Sequence, residues 1–137
     1  MSRETTQRWA RINSDLGDFS PRSVAEADAE LDRVLASLKP DHPVGVVIER
    51  ANGDALVAVL GAPSVMLSFT RADGMPPYFV TLGDPSEQGV IDYWLSGDHH
   101  SQTERWTLVP PDVARAAIRA FLEMERGLPS NVTWASV

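Results

Sequence analysis

Titratable and aromatic side chains are most concentrated in one short stretch, DYWLSGDHHSQTERW, which runs from Asp92 to Trp106. It holds two of the three histidines and two of the four tryptophans of the chain, together with three acids. Three interpretations fit this mixture: a metal or acid–base site, the rim of a protein-binding surface, or an ordinary hairpin with a polar tip.

A metal site would use Asp98 and His100, which are two residues apart and would share one face of a strand, with Glu104 joining them across a turn. Three such ligands can hold zinc. Against this, His99 and His100 are adjacent, so a strand places them on opposite faces and makes them a poor chelating pair. We therefore predict no bound metal and no cofactor.

Asp92 lies in the predicted strand GVIDYWL, where alternation places Ile91, Tyr93 and Leu95 on one face and Asp92 and Trp94 on the other. A carboxylate between apolar neighbours can be catalytic with a raised pKa. The favoured alternative is an acid on the less buried face, paired with Arg105 of the next strand. In such a hairpin Trp94 and Trp106 would approach one another, as core residues or as interface anchors.

Common catalytic and nucleotide-binding motifs are missing: the sequence has no phosphate loop, GxGxxG, HExxH or GxSxG. The segments GDPSEQ and RADG resemble polar turns more than sites. The absence of these motifs does not exclude an enzyme. A non-enzymatic protein that only binds a partner needs none of them and no catalytic residue, and this is the interpretation that we favour. The candidate partner-binding residues are Asp73, Asp84, Glu87, Asp92, Trp94, Asp98, His99, His100, Glu104 and Trp106.

Composition limits the partner and the compartment. The 137 residues, 43% of them hydrophobic, suit a single domain spanning 1–137, and the formal net charge of −7 disfavours nucleic acid as a ligand. There is no cysteine, no apolar core of signal-peptide length and no run near the roughly 18 apolar residues that cross a bilayer. We expect a cytoplasmic protein that does not bind membranes, and favour a monomer.

The elements that position these residues form an α+β pattern. Apolar residues at helical spacing predict two main helices, at about 23–38 and 111–126, with Ser23 and Pro111 at their starts. Between them, short apolar runs separated by Gly, Pro and Asp predict an antiparallel, mostly meandering sheet of about six strands. The segment RWARIN would be an edge strand, Asn52-Gly53 a type I′ turn and RWTLV a strand after the polar tip.

The order of elements and the C-terminal third of the chain resemble the Imm1 family of immunity proteins. The resemblance rests on LVP, A..AI.AFLE and RGLPSNVTW, and upstream on NGDALVAVLG, PPYFVTLGD and the aromatic strand. It covers roughly residues 44–134, and Glu104 is similar to the acid that usually follows the aromatic strand. The pair His99-His100 matches no family motif.

The resemblance implies a cytosolic α+β protein that binds and inhibits a cognate secreted toxin, often a nucleic-acid deaminase of a polymorphic toxin system. An acidic surface could then occlude the toxin's basic active-site cleft. Two other classes stay open: an adaptor or binding module for another basic protein, and a small metal-dependent enzyme. Rescue of cells from the toxin would distinguish the inhibitor from the adaptor, and metal analysis of the purified protein would distinguish the metal-dependent enzyme from both.

Overall fold

The computed structural model describes residues 9–95 and 98–137. Within this part of the chain there are two helices, α1 (Val24–Ser37) and α2 (Pro111–Glu123). The nine strands are β1 (Ala10–Ser14), β2 (Gly17–Phe19), β3 (Val44–Arg50), β4 (Ala55–Leu60), β5 (Met66–Thr70), β6 (Phe79–Thr81), β7 (Val90–Leu95), β8 (His99–Glu104) and β9 (Trp134–Ser136).

The strands form one sheet in the order β2-β1-β3-β4-β5-β6-β9, and β7 joins it by pairing with β3 on one side and β8 on the other. All pairs are antiparallel except β3–β7, which is a single parallel register pair, Val44 with Trp94. The predicted α+β class is therefore confirmed, although nine strands replace the expected six. Three-residue strands such as β2 and β9 are too short to produce a clear alternating pattern.

Local sequence determines where both helices begin. The Ser23 hydroxyl accepts a hydrogen bond from the Glu26 N–H at 3.1 Å, and Pro111 occupies the first turn of α2. Helix α2 ends at Glu123, three residues before the predicted end at 126. Met124 adopts an extended backbone, which turns the chain back so that the carbonyl of Gly127 reaches the side chain of Arg50.

The two helices cover one face of the sheet and create the main core there. Its central side chains are fully buried and come from both helices and four strands: Ile12, Leu31, Ile48, Leu56, Leu67, Ile118 and Phe121. A smaller cluster, built on Val59, Met66 and Tyr93, lies on the opposite face. Apolar residues thus point to both sides of the sheet, as the nearly continuous apolar runs of β3 and β4 predict.

The turn between β3 and β4 is held by a buried ion pair. Arg50 donates to Asp54 at 2.6 Å, to the Phe121 carbonyl at 3.1 Å and to the Gly127 carbonyl at 2.8 Å, and its guanidinium lies 4.2 Å from the centre of the Phe121 ring. Burial opposes ionisation of Asp54, but hydrogen bonds from Arg50, Asn52 and the Ala72 N–H hold the pKa of Asp54 below its usual value.

Three predictions about strands and turns are wrong. Strand β1 is not an edge, because β2 pairs with its outer side. The β3–β4 turn is not type I′: positive φ is found at Gly53 but not at Asn52, and Gly53 N–H donates to the Arg50 carbonyl. The turn therefore spans Arg50 to Gly53, one residue earlier than predicted, and Gly53 at its end has the left-handed conformation.

The third error concerns RWTLV. Arg105–Thr107 is a 3-10 turn, and the strand that pairs with β7 is the polar segment His99–Glu104 before it. Val109 makes only an isolated bridge to Val65. The apolar alternation of RWTLV arises because these residues pack while the chain crosses to α2.

Candidate functional site

The β7–β8 hairpin has two faces with different environments. Its inner face, Ile91, Tyr93 and Leu95 from β7, packs on Val59 and Met66 of the sheet. The buried Thr103 lies opposite Ile91, and Ser101 lies opposite Tyr93. The hairpin therefore covers one end of the sheet on the side away from the helices, as the predicted alternation in GVIDYWL requires.

Two glycines allow this close packing. A Cβ at Gly45 of β3 would overlap the side chain of Leu95, and a Cβ at Gly83 would overlap the carbonyl oxygen of Leu108. Gly83 N–H also donates to the Trp106 carbonyl at 2.7 Å. The Leu95 end of β7 thus packs directly on the backbone of β3, and the chain that follows the hairpin is held by backbone contact with Gly83.

The outer face of the hairpin consists of Val90, Asp92, Trp94, His100, Gln102 and Glu104. These residues pair across the two strands, Val90 with Glu104, Asp92 with Gln102 and Trp94 with His100. All except the half-buried Trp94 are exposed. Three other predicted site residues on β7 and β8 therefore share this surface with Trp94: Asp92, His100 and Glu104.

Asp92 lies at the centre of this face. Its Oδ1 accepts hydrogen bonds from Gln102 Nε2 at 2.9 Å and from His100 Nε2 at 2.7 Å. These bonds, the amide first and then the imidazole, hold the pKa of Asp92 below its usual value. The catalytic interpretation of Asp92 required a raised pKa, and these hydrogen bonds shift the pKa in the opposite direction.

The predicted pairing of Asp92 with Arg105 is wrong, because Arg105 lies past the end of β8 in the 3-10 turn. Trp94 and Trp106 do not form the predicted pair either, since Trp94 lies opposite His100, six residues before Trp106.

Trp94 instead lies between two histidines. Its ring stacks on His42 with centroids 4.1 Å apart and an angle of 17° between the planes, and it meets His100 at 5.4 Å. The backbone N–H of Trp94 also donates to the Pro43 carbonyl at 2.9 Å, and this bond attaches β7 to the start of β3. The indole is therefore held in place while part of the residue stays accessible.

A second group of predicted residues continues the same surface. Glu87, Val90, Glu104 and Trp106 line a hollow of about 410 Å³, and the Trp106 indole N–H donates to Glu104. Asp84 and Glu87 line the next hollow, together with Arg105. Hydrogen bonds from the Ser86 hydroxyl and N–H lower the pKa of Asp84, so this carboxylate too stays charged.

The remaining three predicted residues lie outside the outer face of the hairpin and the two hollows beside it. Asp98 lines a hollow near His42 and Lys39, next to the hairpin tip. His99 is exposed but belongs to the inner-face register, opposite Leu95. Asp73 pairs with Arg71 in a loop beside the β3–β4 turn, at the far end of β4, about 20 Å from the hollow that Asp84 lines.

His42 and Gln102 belong to this surface but were not predicted from the sequence. The signal for Gln102 was the strand register, since a strand over residues 99–104 places it opposite Asp92. His42 joins Trp94 only through the parallel pairing of β7 with β3, which no local pattern encodes.

A cavity of about 510 Å³ lies elsewhere, between the end of α1 and the start of α2. Its lining is mainly apolar, and its charged members are Lys39 and Arg115. It therefore lacks the negative charge of the hairpin surface. Among the described residues no group of three or more His, Asp or Glu side chains is arranged to hold a metal ion, and none of the helices there is long and apolar enough to cross a membrane.

A comparison with protein families identifies the class to which this fold and surface belong. The family model "Immunity protein Imm1" matches residues 20–136 of the 137. The chain therefore belongs to the Imm1 family and is an immunity protein, whose partner is a toxin. No curated protein matches the chain.

Proposed function

We propose that this immunity protein inhibits its toxin by inserting the outer face of the β7–β8 hairpin, with the neighbouring loop 83–89, into a basic active-site cleft. The toxin would be a nucleic-acid-acting enzyme of the deaminase type, delivered by a polymorphic toxin system. The chain would act as a single cytoplasmic domain of 1–137, a monomer before it binds, with no catalytic residue, metal or cofactor.

The observation that carries this proposal is the charge of the hairpin surface. Five carboxylates and one arginine lie between residues 84 and 106. Asp92 and Glu104 lie on the outer face beside a half-buried tryptophan. A cleft that binds nucleic acid must attract phosphates with Lys and Arg, so an acidic surface is complementary to it. Partly buried tryptophans are frequent anchors at protein interfaces.

Partner-binding roles are proposed for nine of the candidate residues: Asp84, Glu87, Asp92, Trp94, Asp98, His99, His100, Glu104 and Trp106. Asp73, the tenth, lies at the far end of the sheet and is the candidate that the geometry supports least.

The first experiment uses the C-terminal toxin domain of a secreted protein that we expect the gene directly upstream to encode. Co-expression with the immunity protein should restore growth and yield a complex that co-purifies. An adaptor would bind the toxin domain without protecting the cells. An enzyme would have to catalyse a reaction of its own, which the inhibition of a toxin does not need. Failure of both rescue and co-purification with that domain would overturn the proposal for this partner.

The second experiment tests the acidic surface. The double variant Asp98→Asn, Glu104→Gln should associate with the toxin domain about threefold to tenfold more slowly at low salt, with a weaker dependence on salt, because electrostatic steering is reduced. The matched control is Glu123→Gln, Glu125→Gln, which removes the same charge from the end of α2. Equal rates and salt slopes for the two double variants would exclude the hairpin as the electrostatic docking surface.

A further inference from the structure

The free edge of β8 has a specific hydrogen-bonding pattern. In an antiparallel pair, residues alternate between those that bond to the partner strand and those whose N–H and C=O point away from it. Arg105 N–H donates to the Gly89 carbonyl at 2.9 Å, immediately beyond the pair Val90–Glu104. The bonded residues are therefore Thr103, Ser101 and His99, and the backbone groups of His100 and Gln102 point away from β7.

The other side of β7 gives an independent check of this alternation. Trp94 lies opposite His100 and belongs to the same non-bonded class. Its N–H points away from β8 and donates to the Pro43 carbonyl at 2.9 Å. The same rule applied to β8 directs the N–H and C=O of His100 and Gln102 outward, where the described part of the chain provides no strand to receive them.

This open edge differs from the other two strands at the margins of the sheet. β2 and β9 have three residues each, whereas β8 has six. Proteins usually protect an exposed edge with a short strand, a proline, a lysine or a bulge. β8 contains neither proline nor lysine, and its six register pairs with β7 are uninterrupted. A long, regular and unprotected edge is suited to pairing with another strand.

We propose that the toxin adds an extended segment to the free edge of β8, with basic side chains on the outer face beside Glu104 and reaching across β8 toward Asp92. This inference rests on the proposed function and specifies how the partner binds. The backbone groups of His100 and Gln102 would supply affinity, and the side chains on the outer face would select the sequence of the segment. A second copy of this chain is a poorer occupant, because edge-to-edge pairing would bring two acidic hairpins together.

The test compares Gln102→Pro with Gln102→Ala, each in the full chain. Both lose the side chain that donates to Asp92, but only proline removes the outward N–H and places a ring on the edge. Edge positions tolerate proline, and Ser101 before it is already extended. The dissociation constant for the upstream-encoded toxin domain should be at least about tenfold higher for Gln102→Pro than for Gln102→Ala, because proline blocks the edge.

Hydrogen exchange on the unmodified protein provides a measurement that does not depend on the folding of a variant. The amides of His100 and Gln102 should exchange quickly in the free protein and be protected in the complex, because a new strand would accept their hydrogen bonds.

Each other outcome overturns a distinct part of the inference. Unprotected amides, or equal binding by the two Gln102 variants, would refute strand addition, and the proposed function would survive if the Asp98, Glu104 double variant still slowed association. Concentration-dependent protection without toxin would identify a second copy of this chain as the occupant. No effect of any hairpin variant on toxin binding would refute the proposed function as well.

Discussion

The β3–β4 and β7–β8 hairpins each contain an aspartate that is hydrogen-bonded to a basic side chain. The two pairs, Arg50–Asp54 and His100–Asp92, differ in their exposure to water. The side chains of Arg50 and Asp54 are 2% and 10% exposed, whereas those of His100 and Asp92 are both 52% exposed. Arg50 also binds two carbonyls of the α2 region, while Asp92 bonds only within its own hairpin among the described residues. The first pair holds distant segments together, and the second shapes a surface.

This difference in burial indicates how to distinguish charged residues that stabilise the fold from charged residues that affect binding. A buried charge that loses its partner stays desolvated, which costs free energy of folding. An exposed charge that loses its partner is solvated by water, so its removal changes what the surface attracts.

The largest effect is expected from Asp54→Ala. It leaves the Arg50 guanidinium buried without its carboxylate and should lower the free energy of unfolding by about 3–5 kcal/mol. Urea denaturation followed by tryptophan fluorescence measures this loss. The double variant Arg50→Met, Asp54→Ala should recover part of the stability, because no charge then remains buried. A single variant as stable as the unmodified protein would contradict the structural role of the pair.

A smaller effect is expected from pH. The pKa of Asp54 is lower in the folded protein than in the unfolded chain, so its stabilisation is present above the unfolded value, about 3.9, and is lost as pH falls through the folded value. The difference in stability between the unmodified protein and Asp54→Asn should therefore shrink between pH 5 and pH 2. A difference that stays constant over this range would show that ionisation of Asp54 contributes nothing.

The smallest effect on stability is expected from Asp92→Ala. The exposed pair with His100 should leave the urea midpoint unchanged, since water replaces the lost contacts. The same variant should slow association with the upstream-encoded toxin domain. A loss of stability comparable with that of Asp54→Ala would remove the distinction between the two hairpins.

Where local chemistry decides the structure, the sequence was sufficient to predict it. The Ser23 cap, the first-turn Pro111 and the apolar stripes place both helices, and the alternation in β7 separates its buried residues from its exposed ones. Each of these features depends on neighbours within about four residues.

Predictions failed where a distant partner decides the structure. His99–Glu104 has no apolar alternation, and it becomes a strand because β7 lies beside it. RWTLV alternates like a strand, but the chain turns there so that Gly83 can bind the Trp106 carbonyl. The partner of Trp94 was missed for the same reason, since His42 reaches it through the β3–β7 pairing.

The alternation of β7 also predicts different evolutionary constraints for its odd- and even-numbered residues. Its odd-numbered residues, Ile91, Tyr93 and Leu95, must fit Val59, Met66 and the space above Gly45. Its even-numbered residues, Val90, Asp92 and Trp94, share no packing with that cluster. Under the proposed function, a lineage can adapt to a changed toxin by substitution at even positions alone while the odd positions preserve the fold. Within this one strand, the even-numbered residues could thus vary while the odd-numbered residues stay conserved.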